Sequence, residues 1–451
     1  ESKVGLSSTT LLLKKFDEVS LPPISRLEAS PSTHVATLPR TDDSEERDWS
    51  DRNSAKATDS NISADRKEDA HDYGVVIVLY HKTGYVLSRI LMKMTIALEY
   101  EGNGRSEEEV KRAKSVQRRD ADHFDGESGE MIAFSQHGNW NGNFIGARKH
   151  RGIGGCHPSF KIKRGAIHLQ EAPDFFCGEK ELAARMLGDK KDSETKIVHM
   201  IRNPFDMVLS NYFYHSQDPT PEKWVHGDDP CEFNYPDGNS LASHVLPTLQ
   251  EETKITEKQL DAVVDMCQSL YQSKSSLKNS SFYEHLLALD HWDGLRLATT
   301  QMIISSSAAN EGMAGGDVLR MANNIVKFNR LQTSSSIPSK QRKDIHLLTL
   351  SMDEYITGVK NNTLAFLNFL LGNDDTVSID LRVKAAEEQE ASAIKKGERR
   401  NKHITQGKHS DKEELRQLLR EDSVLGPVLS EVEKLVVGAL ERSKKHDPRL
   451  Q

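Results

Sequence analysis

Leu79-Tyr-His-Lys-Thr-Gly-Tyr-Val-Leu-Ser88 places a lysine, a hydroxyl and a glycine in three consecutive positions, directly after an apolar, β-branched run. Such a run, Tyr73-Gly-Val-Val-Ile-Val-Leu-Tyr80, reads as a buried strand, and Val86 to Tyr100 carries the 3.6-residue apolar period of a helix. A strand that turns sharply into a helix presents backbone N–H groups and the positive end of the helix dipole to an anion. Lys82 would add a mobile positive charge, Thr83 a donor hydroxyl, and Gly84 a backbone that a phosphate can approach. A second segment, Lys196-Ile-Val-His-Met-Ile-Arg-Asn-Pro-Phe-Asp-Met-Val-Leu-Ser210, repeats the strand-to-helix plan with Arg202 at the strand end and Pro204 opening the helix. Arg202 and Ser210 are eight residues apart, close enough on a helix that folds back for both to reach one anion, the arginine through a forked, charge-assisted grip. Each segment alone is as readily an ordinary turn with a surface lysine, or a salt-bridged arginine above a helix-surface serine. The GxxxxGK[ST] loop is absent, because it needs a glycine five residues before a Gly-Lys pair.

Together and in this order, the two segments resemble those of the PAPS-dependent sulfotransferases, PAPS being 3′-phosphoadenosine 5′-phosphosulfate. In that family Pro-Lys-[Ser/Thr]-Gly-Thr-Thr holds the 5′-phosphosulfate, and Arg-[Asp/Asn]-Pro-x(5)-Ser holds the 3′-phosphate. Here the first reads His81-Lys-Thr-Gly-Tyr-Val86 and the second Arg202-Asn-Pro-x(5)-Ser210 without a gap. Ile345-His-Leu-Leu-Thr-Leu-Ser-Met-Asp-Glu354, followed by Asn362-Thr-Leu-Ala-Phe-Leu-Asn-Phe-Leu-Leu-Gly372, is similar to the family's late strand ending in Glu-Asp-Leu and the helix behind it. The likeness covers roughly 73–375, with insertions at about 101–160 and 216–340. It implies a P-loop-like sulfotransferase fold and transfer of the sulfuryl group to a hydroxyl or amine of a carbohydrate or small metabolite.

The resemblance also assigns roles. Lys82 would neutralise charge on the departing 5′-phosphate, and Lys82, Thr83, Gly84, Tyr85 and Val86 would hold that phosphate, with Arg202 and Ser210 on the 3′-phosphate. The base that takes the acceptor's proton would be His168 in Ala166-Ile-His-Leu-Gln170, or Glu171 before Ala-Pro-Asp-Phe-Phe176, with His137 third. Lys395-Lys-Gly397 and Arg399-Arg-Asn-Lys402 form a basic run that is either a solvated loop or a lid over the 3′-phosphate, Lys396 and Gly397 standing where the family's Arg-Lys-Gly does. Tyr85 and Val86 replace two hydroxyls of the family pattern, so their backbone N–H groups would have to serve. Two alternatives stay open: a P-loop kinase-like user of nucleoside triphosphates, and a catalytically inactive nucleotide-binding protein of the same fold. No metal is expected, since His403 to His409 has no ligand spacing and the transfer needs none.

These groups require elements that hold them at one edge of a sheet. Beyond the two strand–helix units, Met131 to Phe134, Ala166 to Gln170 and Ile345 to Leu350 read as strands, and helices are expected near 179–187, 256–273, 281–289, 314–328, 363–371 and 411–443, the last with a break at Gly426-Pro427. Strands alternating with helices predict a three-layer α/β/α domain with a mostly parallel sheet over 73–443. Residues 216–250 read as loop or lid, 380–410 as strongly polar, and 1–72, rich in Ser, Thr and charge, as a disordered tail or stem. The 451 residues carry 28% charged and 36% hydrophobic side chains and a net charge of −8, so no basic field recruits nucleic acid. No stretch is apolar enough to span a bilayer, which excludes a channel or transporter. Four cysteines, Cys156, Cys177, Cys231 and Cys267, lack zinc spacing and read first as free thiols, second as one or two disulfides. Three sequons, at Asn61, Asn279 and Asn361, and the stem-like first 72 residues lean toward a glycoprotein of the Golgi lumen, anchored, if at all, by a segment before Glu1. A cytoplasmic enzyme is the alternative.

Overall fold

A computed structural model describes residues 73–80, 82–102, 104, 106–108, 110, 131–134, 166–171, 173, 175, 177–187, 194–217, 231, 240–272, 281–304, 315–372, 377–398 and 409–446. In chain order the elements are β1 (Tyr73–Leu79), α1 (Tyr85–Gly102), β2 (Met131–Phe134), β3 (Ala166–Glu171), α2 (Glu179–Leu187), β4 (Glu194–Ile201), α3 (Pro204–Gln217), α4 (Leu241–Leu249), α5 (Glu257–Gln272), α6 (Phe282–Ala288), α7 (His291–Ile304), α8 (Asp317–Thr333), α9 (Ser339–Lys343), β5 (Ile345–Ser351), α10 (Met352–Thr357), α11 (Val359–Leu371), α12 (Ile379–Glu398), α13 (His409–Glu421) and α14 (Leu425–His446).

The sheet order is β2-β3-β1-β4-β5, with β3, β1, β4 and β5 parallel and β2 antiparallel at the edge. β1 is a continuous apolar run because both of its faces are covered. Val75, Ile77 and Leu79 meet Leu87 and Leu91 of α1 and Phe366, Leu367 and Leu370 of α11 on one face. The alternate residues face the other layer, where α8 and α14 pack on β5 and where Phe328 of α8 stands edge-on to His199 of β4 at 4.9 Å between ring centroids. The chain leaves β1 toward β3 on one side and later reaches β4 on the other. A doubly wound sheet opens a crevice at such a reversal, beyond the carboxyl ends of its strands.

Several expectations are corrected. The 216–250 stretch is not all loop: Ser240 caps α4, its side chain accepting the Ser243 N–H. A helix, α7, fills 291–304, where no helix was expected. Nearly all its residues from Gly294 on are buried, Thr299, Thr300 and Gln301 included, so a helix buried all round shows no amphipathic period. The polar stretch after 378 is helical to Glu398, the end of α12. The break expected at Gly426-Pro427 falls earlier, at 422–424: α13 ends at Glu421, Asp422 accepts the Val424 and Leu425 N–H groups with its side chain, and α14 begins at Leu425 with Gly426 and Pro427 inside its first turn, where a proline is tolerated. Gly426 is required there, because a Cβ would collide with the Arg420 carbonyl oxygen.

The cysteines also depart from the free-thiol reading. Cys231 is disulfide-bonded to Cys267 of α5, and Cys177 is disulfide-bonded as well. Of the sequons, only Asn361 falls in the described residues, and it lies inside α11 with Thr363 fully buried and hydrogen-bonded to Tyr355, not in a surface loop. Asn61, Asn279, His137 and the tail over 1–72 lie outside the described residues. No helix among the described residues is long and apolar enough to cross a membrane.

Candidate active site at the strand ends

The turn after β1 is held by its own hydroxyl. Thr83 Oγ1 donates to the Tyr80 carbonyl at 2.8 Å and accepts the Tyr80 N–H at 2.7 Å, while the Thr83 N–H also donates to that carbonyl at 3.0 Å. Thr83 is therefore fully buried, and its hydroxyl shapes the turn instead of facing outward. The backbone that results is left-handed at Lys82 (φ 64°) and Gly84 (φ 110°), and Lys82 is the non-glycine residue with positive φ among the described residues. Alternating conformations of this kind turn N–H groups toward one concavity, the Thr83 N–H here being kept inside the turn. Gly84 cannot be replaced without strain, both for its φ and because a Cβ would stand 3.0 Å from Met352 Sδ. The bonds of α1 itself begin with Ser88 N–H to the Gly84 carbonyl at 2.8 Å, and no acidic side chain lies in its first turn. An anion is thus the group this helix start favours. Tyr85 is half-buried, with Arg89 stacked 5.5 Å from its ring centroid, and Val86 is exposed.

Arg202 joins three segments that are far apart in sequence. Its Nε donates to Asp353 Oδ1 at 3.0 Å, and its Nη1 donates to the Lys82 carbonyl, also at 3.0 Å. Asp353 uses its second oxygen to accept the Asn203 N–H at 3.1 Å. The ends of β1, β4 and β5 are thereby tied at one point. The Lys82 ammonium sits over the Tyr214 ring, 3.1 Å from its centroid, a cation–π contact reaching from the turn to α3. Ser210 is half-buried two turns into α3, on the same helix as Tyr214. Asn203 also donates to Glu433 at 2.7 Å, and Arg420 stacks 4.2 Å from the Phe205 centroid, so α13 and α14 brace the Arg-Asn-Pro corner.

The candidate bases separate by position. His168 pairs with Val76 in the middle of β3, whereas Glu171 is its last residue, opposite Leu79 of β1. Three residues of strand, about 10 Å, set His168 back from the edge where Lys82 lies. The backbone thus favours Glu171. Lys396 and Gly397 fall in the last turn of α12, so their backbone is helical, and Arg399 to Lys402 lie outside the described residues.

Sequence reasoning missed a second set of residues at this edge. Tyr80, the first residue past β1, is fully buried with its hydroxyl 2.8 Å from His199 Nε2 and accepting from Asn324 Nδ2 at 2.8 Å. Burial pushes the His199 pKa down to about 3, so the ring is neutral, and its Nε2 shares a hydrogen bond with the Tyr80 hydroxyl. Burial raises the Tyr80 pKa well above that of a free phenol, more than the Asn324 hydrogen bond lowers it. A buried histidine on a strand is the only part of this network that the sequence signals, and there it looks like core. Among the described residues no cluster of His, Cys, Asp or Glu could hold a metal ion.

A left-handed turn, an acid-free helix start, Lys82 and Arg202 meet at one end, a set that suits an anion, and the carboxylate of Asp353 is the anion Arg202 pairs with there. No family model, curated protein or solved structure matches this chain.

Proposed function

We propose that this sheet edge binds 3′-phosphoadenosine 5′-phosphosulfate and transfers its sulfuryl group to a hydroxyl or amine acceptor, on a P-loop-like sulfotransferase fold. The observation that carries the reading is the Arg202 junction, in which two segments singled out by their residue types, and a third by the resemblance, are in direct hydrogen-bonded contact. The α/β sheet with helices on both faces and the reversal beside β1 supports the same reading.

The nucleotide would supply the activated S–O bond, which breaks as the acceptor oxygen or nitrogen bonds to sulfur, leaving adenosine 3′,5′-bisphosphate. Lys82, moved off Tyr214, would neutralise the charge growing on the 5′-phosphate oxygen, with the turn amides donating to the same group. Arg202 and Ser210 would hold the 3′-phosphate, and Glu171 at the end of β3 would accept the acceptor's proton. The disulfides at Cys231–Cys267 and at Cys177 support an oxidising compartment such as the Golgi lumen over the cytoplasm.

Lys82→Ala tests the assignment. Losing one group that stabilises the leaving charge lowers turnover by about 10²–10³-fold, so sulfate release from PAPS should fall by that much while the affinity for adenosine 3′,5′-bisphosphate changes only a few-fold. Equal loss in both would mean that Lys82 binds and does not assist the chemistry. A second reading, nucleotide binding without transfer, draws on two contacts: the Thr83 hydroxyl is used within the turn, and the Lys82 ammonium is seated on Tyr214. Tight bisphosphate binding with no sulfuryl transfer to water or to any hydroxyl or amine acceptor would favour it.

A further inference from the structure

One stripe of α8 contacts the segment that follows β3 at regular intervals. Asn324 Nδ2 donates to the Pro173 carbonyl at 3.0 Å, the Phe328 ring lies 5.4 Å from that of Phe175, and Lys327 Nζ donates to the Cys177 carbonyl at 3.1 Å. Arg330 Nη1 then donates to Glu179 at 3.2 Å, at the start of α2, with Lys327 Nζ 3.8 Å from the same carboxylate. Alternate residues of 173–179 are thus each held by a side chain from one helix, about 150 residues downstream.

The contact at Asn324 does more than hold that segment. Its single amide nitrogen donates both to Tyr80, the first residue beyond β1, and to Pro173, two residues beyond β3. Its Oδ1 accepts from Asn323 Nδ2 at 3.1 Å, which fixes which way the amide faces. Tyr80 passes the chain on to His199 Nε2. Asn324 and Tyr80 are fully buried, and His199 is nearly so. Lys82 lies two residues past Tyr80, and Glu171 two residues before Pro173. The register of β1 against β3 aligns Leu79 with Glu171 but fixes nothing beyond the last pair. Beyond that pair, the Asn324 amide bridges the two chain extensions directly, and the other α8 contacts hold only the one after β3.

We infer that Asn324 is a positioning residue: it ties the end of β1 to the end of β3, and α8 acts as the template that holds the base-bearing strand end at a set distance from Lys82. This rests on the sulfuryl-transfer reading, and it names a residue that touches neither nucleotide nor acceptor. Reaction depends steeply on such spacing, since a misplacement of about 1 Å is enough to lower a rate roughly 10²-fold.

The test uses Asn324→Leu, close in volume and lacking both donors, together with Lys327→Met and its conservative counterpart Lys327→Arg. Each is measured for amide hydrogen exchange over 173–178, affinity for adenosine 3′,5′-bisphosphate, and sulfate release from PAPS with water as acceptor. Asn324→Leu should speed exchange over 173–178 and lower turnover at saturating PAPS by roughly 10- to 100-fold, with bisphosphate affinity within about three-fold of the unaltered chain. If that variant fails to fold, Lys327→Met should give a smaller loss of the same kind, and Lys327→Arg should restore it. Turnover unchanged while exchange speeds up, or turnover and affinity falling together, would overturn the inference. An unaltered chain that neither binds the bisphosphate nor releases sulfate would refute the sulfuryl-transfer reading itself. Turnover that survives Asn324→Leu refutes only the tie.

Discussion

At the ends of β1, β4 and β5 the contacts are charged and partly buried: Arg202, its side chain 11% exposed, meets Asp353, at 34%, and Lys82 lies on the half-buried Tyr214 ring. At the ends of β1 and β3 the contacts are neutral and sealed: Asn323, Asn324, Tyr80 and His199 pass hydrogen bonds along a buried line. The same strand, β1, feeds both. A charged, partly buried pair can give up one anionic partner where another takes its place, because the arginine is then not left uncompensated. A buried neutral line cannot rearrange without stranding a donor or acceptor, at about 1–3 kcal/mol per group. On the proposed reading, one side of the edge would take the ligand, and the other would keep its shape while that happens.

The largest expected effect separates the two regions by pH. His199 holds its pKa near 3 when folded and near 6.5 when not. The unfolded chain then binds the extra proton between those values, so stability is fully present above pH 6.5 and falls as pH drops toward 3, by on the order of 5 kcal/mol. His199→Gln, which keeps a hydrogen-bonding group for Tyr80, should flatten that decline in urea titrations at stepped pH. An acid slope equal to that of the unaltered chain would remove His199 from the account.

Next in size is the bond between Cys231 and Cys267, which closes a 36-residue separation. Cys231→Ser should lower stability by about 4 kcal/mol in the chain-entropy model. It should leave the preference among nucleotides untouched, since the bond lies in neither region. A changed preference would mean that α5 and its disulfide belong to the site.

Gly84→Val acts on the charged side alone. A β-branched residue at φ 110°, with its Cβ 3.0 Å from Met352, should destabilise the chain by roughly 2–3 kcal/mol and abolish stabilisation by nucleotide. Retained nucleotide stabilisation would show that the turn after β1 is not the phosphate site. The smallest effect concerns Tyr214. Replacing its ring by Leu should release the Lys82 ammonium and lower stability by about 0.5–2 kcal/mol, while Tyr214→Phe, which keeps the π face, should change little. Identical losses in both would assign the role to the hydroxyl.

The charged side was legible in the sequence because it is local. Residues 73–88 and 196–210 each contain a strand, a turn and a helix start, and the strand run and the first apolar period are both visible within about fifteen residues. The sheet followed for the same reason. What the turn does with Thr83 was not legible, since a hydroxyl captured by the carbonyl three residues back depends on the left-handed backbone at Lys82. The sealed side was hidden by distance. Nothing near Asn324 in the chain distinguishes it from any polar helix residue, and its partner Pro173 lies 151 positions away. α7 was invisible for the opposite reason, as uniform burial erases the periodicity by which helices are recognised. The cysteine pairing obeys no local spacing rule at all.

The central claim, that the edge where Lys82 and Arg202 meet is a site for a 3′-phosphorylated adenosine nucleotide, is tested most directly by thermal unfolding with adenosine 3′,5′-bisphosphate, ADP and ATP in parallel. The bisphosphate at 100 times its dissociation constant should add about 2.7 kcal/mol of stability, and Arg202→Ala should remove the advantage of the 3′-phosphate. Stabilisation by ATP and ADP equal to that by the bisphosphate would contradict the claim.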